Sequence, residues 1–131
     1  MRFQVRESSG ALASGRGRIP LVLDQDLLSL KGPLEKRGFN TLTPKAHKPD
    51  AEIMTEDLPG RIFVTNSPKD FIYSASLLDY SIIDTTHVNK DPQSLADMIG
   101  RAWVDYSLKA EHPAFYLVLR QNGRHEISTD L

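Results

Sequence analysis

The chain has 131 residues, 40% hydrophobic and 25% charged, enough for one domain with its own core. It contains no cysteine, which excludes disulfides, zinc–thiolate sites and cysteine nucleophiles. Sixteen Lys and Arg against seventeen Asp and Glu leave a formal net charge of −1, which gives no general attraction to nucleic acid. Carboxylates reserved for a metal would nevertheless mask basic surface in such a sum. No apolar stretch approaches the roughly 20 residues of a membrane span, and the N-terminus lacks the apolar core of a signal peptide. A cytoplasmic site of action without a membrane partner is the expectation.

Residues 7–18 are rich in Gly, Ser and Ala without periodicity, and Met1 to Val5 alternates as a short strand would; together 1–18 read as a flexible segment or linker. The folded unit, 19–131, opens with the apolar run Ile19 to Leu23, a strand buried on both faces of a parallel sheet. A helix is predicted over 27–37, with Asp26 at its N-cap, Gly38 as its stop and Gly32-Pro33 kinking or splitting it. A short strand over 39–43 and a basic loop over 44–49 follow. Asp50 to Met54 starts a short helix, and Pro59-Gly60 ends that excursion. Strands over 61–65 and 80–83 flank a helix over 69–77. Asp91-Pro92 then opens a long helix towards Ala110, in which Leu95, Met98, Ile99, Ala102, Trp103, Tyr106 and Leu108 mostly keep helical spacing, Trp103 and Tyr106 reading as core. Asn122-Gly123 turns a hairpin between 114–120 and 125–129. The predicted class is therefore α/β: a three-layer α/β/α domain with a mostly parallel central sheet and a C-terminal β-hairpin.

Working residues of such sheets gather beyond the carboxyl ends of the strands. Asp24 follows an apolar run directly, where a carboxylate without a partner is costly. Asp50 and Asp70 fall at element boundaries on the same inferred edge, and Asp26 is either a further ligand or a helix cap. Carboxylate oxygens suit a hard divalent cation, so Asp24, Asp26, Asp50 and Asp70 are the candidate ligands of Mg²⁺ or Mn²⁺. Glu52, Thr65, Asn66 and Ser67 either position water or phosphate there, or serve as surface and turn residues. Lys45, His47, Lys48 and Lys69 suit substrate phosphates, or simply solvate the surface.

The order of these features resembles the PIN-like nuclease superfamily, above all its small toxin-type branch. The resemblance runs over about residues 19–90. It comprises Leu21-Val22-Leu23-Asp24-Gln25-Asp26, then Lys36-Arg37-Gly38-Phe39, then Pro49-Asp50-Ala51-Glu52. It closes with Val64-Thr65-Asn66-Ser67-Pro68-Lys69-Asp70-Phe71 ahead of Tyr80 to Asp84. Gln25 and Asn66-Ser67 depart from it by replacing acids. The resemblance implies a Mg²⁺- or Mn²⁺-dependent endoribonuclease with Asp24, Asp50 and Asp70 catalytic, an RNA substrate, and a toxin setting with an antitoxin or immunity protein. Phe115 to Leu119 in a terminal hairpin offers a route to a homodimer.

Two other readings compete. Asp24-Gln25-Asp26 with a later strand ending in Thr65 also fits a haloacid-dehalogenase-type phosphatase, with Asp24 the nucleophile and Asp26 the general acid. Against it stand Leu27-Leu28 in place of the usual Gly-Thr type continuation. The departures at Gln25 and Asn66-Ser67 keep open a degenerate module that binds RNA or protein without cutting.

Overall fold

Short runs of consecutive apolar residues form the centre of the fold, because every strand of a covered parallel sheet buries both faces. The computed structural model describes residues 19–108 and 114–129. The segment 1–18 and the expected helix end near Ala110 lie outside the described residues. The strands are β1 (Leu21–Leu23), β2 (Thr41–Leu42), β3 (Ile62–Thr65), β4 (Ser81–Asp84), β5 (Tyr116–Leu119) and β6 (His125–Ser128). A 3-10 helix (Gln25–Leu30) leads into α1 (Lys31–Lys36), and α2 (Asp50–Glu52) continues into a turn of π-helix (Ile53–Asp57). Two longer helices follow, α3 (Lys69–Leu78) and α4 (Pro92–Leu108). Among the described residues the strands make one sheet in the order β2-β1-β3-β4-β5-β6, parallel except for the antiparallel β5–β6 pair. This is the expected three-layer α/β/α arrangement with a C-terminal hairpin.

Side-chain alternation sorts the core into two halves. Leu21, Leu23, Ile62, Val64, Ile83 and Leu117 point to a first face, covered by Leu30, Leu34 and the α4 stripe from Leu95 to Trp103. Phe39 meets Trp103 edge-on there, with ring centroids 5.3 Å apart. Val22, Phe63 and Ile82 point to the second face, covered by Ile53, Leu58, Phe71 and Ala75.

The crossovers explain one asymmetry. The β1 to β2 step runs one way across the sheet over the first face, and the next two run back over the second, so these three share one hand. The β4 to β5 step continues in the same direction, but its helix α4 packs on the first face, which reverses the hand. Among the described residues nothing covers the second face of the hairpin: Tyr116 and Val118 are half-buried there, while Glu126 and Ser128 are exposed.

Four expectations change. The helix over 27–37 is split in two, one of the outcomes expected of Gly32-Pro33, but the pieces join ahead of that pair rather than at it. Pro33 has no N–H for the carbonyl four residues back and is tolerated in a first turn, so α bonding starts only at Lys31. The N-cap of the first piece is Asp24, not Asp26, because the chain turns helical at Gln25. The second strand shrinks from 39–43 to Thr41–Leu42, since Phe39 is drawn into the core beside Trp103. Finally, Phe115 to Leu119 is not a free edge for a dimer: β5 is paired with β4 on one side and β6 on the other. Among the described residues, no helix is long and apolar enough to cross a membrane.

Candidate functional site

β1 and β3 lie side by side where the strand order reverses, the place at which parallel sheets open a crevice for ligands. Asp24 stands at that point. Its backbone N–H bonds the Val64 carbonyl (3.1 Å), which fixes it beside Thr65 at the end of β3. Asp24 Oδ1 accepts from the Gln25 N–H (2.8 Å) and Oδ2 from the Thr65 hydroxyl (2.7 Å). Thr65 is fully buried, and its Oγ1 in turn accepts from the Ser67 N–H (2.9 Å). Thr65 and Ser67 therefore form a turn whose hydroxyl orients the Asp24 carboxylate.

Asp24 and Asp50 both border a hollow of about 310 Å³, floored by Ile53 and Phe63. Lys45, His47 and Lys48 come to it from the loop between β2 and α2. That loop is held in place from both ends. The Gln25 side-chain amide donates to the Pro44 carbonyl (3.0 Å), and the Lys48 ammonium pairs with Glu56 (3.0 Å) and Asp57 (2.9 Å). Hydrogen bonds from Lys48 to Asp57 and Glu56 push its pKa up, so its charge is already committed to these acids. His47 sits between the anchors with φ of +64°, a left-handed conformation uncommon for a side-chain-bearing residue and frequent at functional sites. Gln25, a departure from the PIN-like pattern, has a definite task here as a strut for the basic loop.

The candidate carboxylates are only partly brought together. Asp50 opens α2 on the hollow, whereas Asp26, exposed in the first turn of the 3-10 helix, is not among its lining residues. Asp70 and Lys69 are exposed in the first turn of α3 and do not line it either; Glu52 is exposed on α2. Asn66 and Ser67 are exposed beside Asp24 at the end of β3. Among the described residues no group of three or more His, Asp or Glu side chains is arranged to hold a metal ion. Asp24 and Asp50 border one hollow, and hard divalent cations are commonly held by only one or two carboxylates together with waters and substrate phosphates.

A second constellation on the same edge did not figure among the candidate site residues. Asp84, 2% exposed at the end of β4, accepts from the Thr86 N–H (2.8 Å), the Thr86 hydroxyl and the Tyr116 hydroxyl. Burial first, then the bond to Asp84 and its charge, raise the Tyr116 pKa well above the usual phenol range. The signal was present in the sequence: Tyr80 to Ile83 followed by Asp84 repeats the apolar-run-then-carboxylate pattern of β1. Comparison of the chain with protein-family models, with curated proteins and with solved structures gives no match.

Proposed function

We propose that this protein is a PIN-like, divalent-cation-dependent endoribonuclease whose active site is the hollow between Asp24 and Asp50. The observation that carries this reading is the pairing of two carboxylates with Lys45 and His47 around one hollow at the reversal of strand order. Lys45 attracts an RNA phosphodiester, as cationic side chains do wherever phosphate backbones bind, and His47 offers its ring nitrogens as hydrogen-bond partners beside it. Asp24, held by Thr65 and the Gln25 N–H, presents its carboxylate to the hollow in one orientation, and Asp50 faces it from the start of α2. Mg²⁺ or Mn²⁺ bound by these two would lower the pKa of the attacking water and neutralise charge on the scissile phosphate. Ile53 and Phe63 give the hollow an apolar floor, which strengthens electrostatic interactions above it.

The test is cleavage of single-stranded RNA with and without Mg²⁺. Asp24→Asn and Asp50→Asn should each lower kcat at least about 100-fold, the loss expected on removing a group that stabilises transition-state charge. Asp26→Asn and Asp70→Asn, away from the hollow, should fall much less. Equal losses at all four positions would show that the carboxylates act together and that the site is not confined to this hollow. The Thr65 to Asp24 hydrogen bond specifically favours the phosphatase as second reading, since it aims an aspartate from a neighbouring strand's threonine. Hydrolysis of a phosphate monoester, lost with Asp24→Asn while RNA stays intact, would select it. The toxin setting rests on the resemblance alone; growth arrest by the wild-type chain but not by Asp24→Asn is its test.

A further inference from the structure

We propose that a hollow on the open face of the hairpin is a nucleotide subsite that holds single-stranded RNA a few nucleotides away from Asp24. The inference rests on the ribonuclease reading for its substrate class. The hollow measures about 380 Å³ and is lined by His87, Tyr116, Val118, Arg120 and Glu126, with Ile127 and Ser128 beside them. Among the described residues, α4 packs on the opposite face and no helix covers this side of β5 and β6.

Tyr116 is the feature that asks for an explanation. Its ring packs on one side against the second-face cluster, and its hydroxyl is fastened to buried Asp84, so it is held in one place. Asp84 is itself fixed by the backbone and hydroxyl of Thr86. The carboxylate is thereby supplied with donors and buried, so the half-buried ring, not the charge, faces the hollow. A rigid aromatic platform with cations beside it is the arrangement that binds single strands, by stacking a base and neutralising its phosphate. Arg120, at the end of β5, supplies the cation, and His87, exposed in the turn after β4, adds ring nitrogens that can hydrogen-bond a phosphate. Arg120 meets Glu126 at 3.1 Å, but both side chains are solvent-exposed, and such a pair is weak and easily exchanged for a phosphate.

The position suits the same substrate. Three inter-strand steps of about 4.8 Å separate β1 from β5, so the strands that contribute Asp24 and Tyr116 to the two hollows run about 14 Å apart in one sheet. Between them run the exposed polar residues Asn66, Ser67 and Thr86, with Thr86 Oγ1 3.1 Å from the Asn66 carbonyl oxygen. An extended strand of a few nucleotides bridges that gap.

The experiment measures binding of a labelled single-stranded RNA of about 12 nucleotides, within the range of single-strand site sizes, in the Asp24→Asn background so that nothing is cut. Tyr116→Leu should weaken binding about tenfold, the scale of one base stack removed, while Tyr116→Phe, which keeps the ring, stays within about twofold. His87→Ala with Arg120→Ala should also weaken binding and flatten its salt dependence by about 0.7 in slope for each phosphate no longer neutralised. These two are surface positions, so they decide the matter even where Tyr116→Leu fails to fold. Wild-type affinity in the His87→Ala, Arg120→Ala chain, or equal losses for duplex and single-stranded RNA, would overturn the subsite. Absence of cleavage by the wild-type chain, with the binding losses intact, would instead overturn the nuclease reading and leave the subsite standing.

Discussion

At the scale of single residues, a carboxylate placed directly after an apolar run demands a partner, and both such carboxylates have one. Asp24 is served by Thr65 and Asp84 by Tyr116 and Thr86. Thr65 is fully buried and links Asp24 to the Ser67 N–H, so Thr65→Val removes one donor and one acceptor at nearly constant volume. That change should cost about 1–3 kcal/mol of stability, the scale of leaving buried polar groups unpaired. RNA cleavage should fall through kcat more than KM, because Asp24 loses its orientation; Thr65→Ser should restore most of both. Urea melts and steady-state kinetics on the three chains check this, and a Thr65→Val chain with unchanged kcat would remove Thr65 from the positioning of Asp24. The need of Asp24 for a partner was legible in the sequence, because an unpaired carboxylate after Leu21 to Leu23 is expensive whatever the fold. Which of Asp26, Asp50 and Asp70 accompanies it was not. That depends on how the loop over 43–49 folds back, and its anchors, Gln25 to Pro44 and Lys48 to Asp57, join residues far apart or of no distinctive pattern.

At the scale of elements, local chemistry was the reliable guide. Asp91-Pro92 opens α4 as expected: Asp91 accepts from the Ser94 hydroxyl (2.6 Å) and the Ser94 N–H (3.2 Å), and Pro92 takes the first helical position. Asn122-Gly123 turns the hairpin, with Gly123 at φ of +88° and the Asn122 side chain accepting from the Arg124 N–H (3.0 Å). The first helix was less legible. Its 3-10 form and the non-helical Leu27 (φ −119°, ψ 19°) follow from tertiary demands on Leu30 and Leu34 as much as from local preference. A consequence for pH follows from Asp91. Its hydrogen bonds, the Ser94 hydroxyl first, hold its pKa below the usual carboxylate value. A lowered folded-state pKa adds stability that is present above the unfolded value and is lost as pH falls through the folded one. Asp91→Ala should therefore lower the thermal midpoint at neutral pH and flatten its decline on acidification. Melting curves from neutral pH down to about 3, across the ordinary Asp range, read this directly, and an acid limb as steep as that of the wild type would refute it.

At the scale of the whole molecule, the sheet order and the single reversed crossover decide where sites can be. The alternation of apolar runs with helical stripes made an α/β sandwich legible, but the hand of the last crossover was not. It is set by which face has room for the stripe from Leu95 to Trp103, and that face is completed by Phe39 and Leu34 from the other end of the sheet. The same choice bares the hairpin face and seats Tyr116 against Asp84, 32 residues distant, through a register that no local pattern encodes. Two phenols sit in the second-face layer with raised pKa values. Tyr80, almost fully buried and donating to the Phe71 carbonyl, is pushed up to about 12 by burial, and Tyr116 is raised as well. A group whose folded-state pKa exceeds its unfolded value adds stability that is complete below the unfolded value, about 10 for tyrosine, and is lost as pH rises through the folded one. Global stability should thus decline above about pH 10, and Tyr80→Phe should make that decline shallower. The same substitution gives up the bond to Phe71, at about 0.5–1.5 kcal/mol near neutral pH. The two curves of urea midpoint against pH should converge on the alkaline side, because the wild type loses there what the variant no longer has. Parallel curves up to pH 12 would show that the Tyr80 proton is no harder to remove in the folded chain than in the unfolded one.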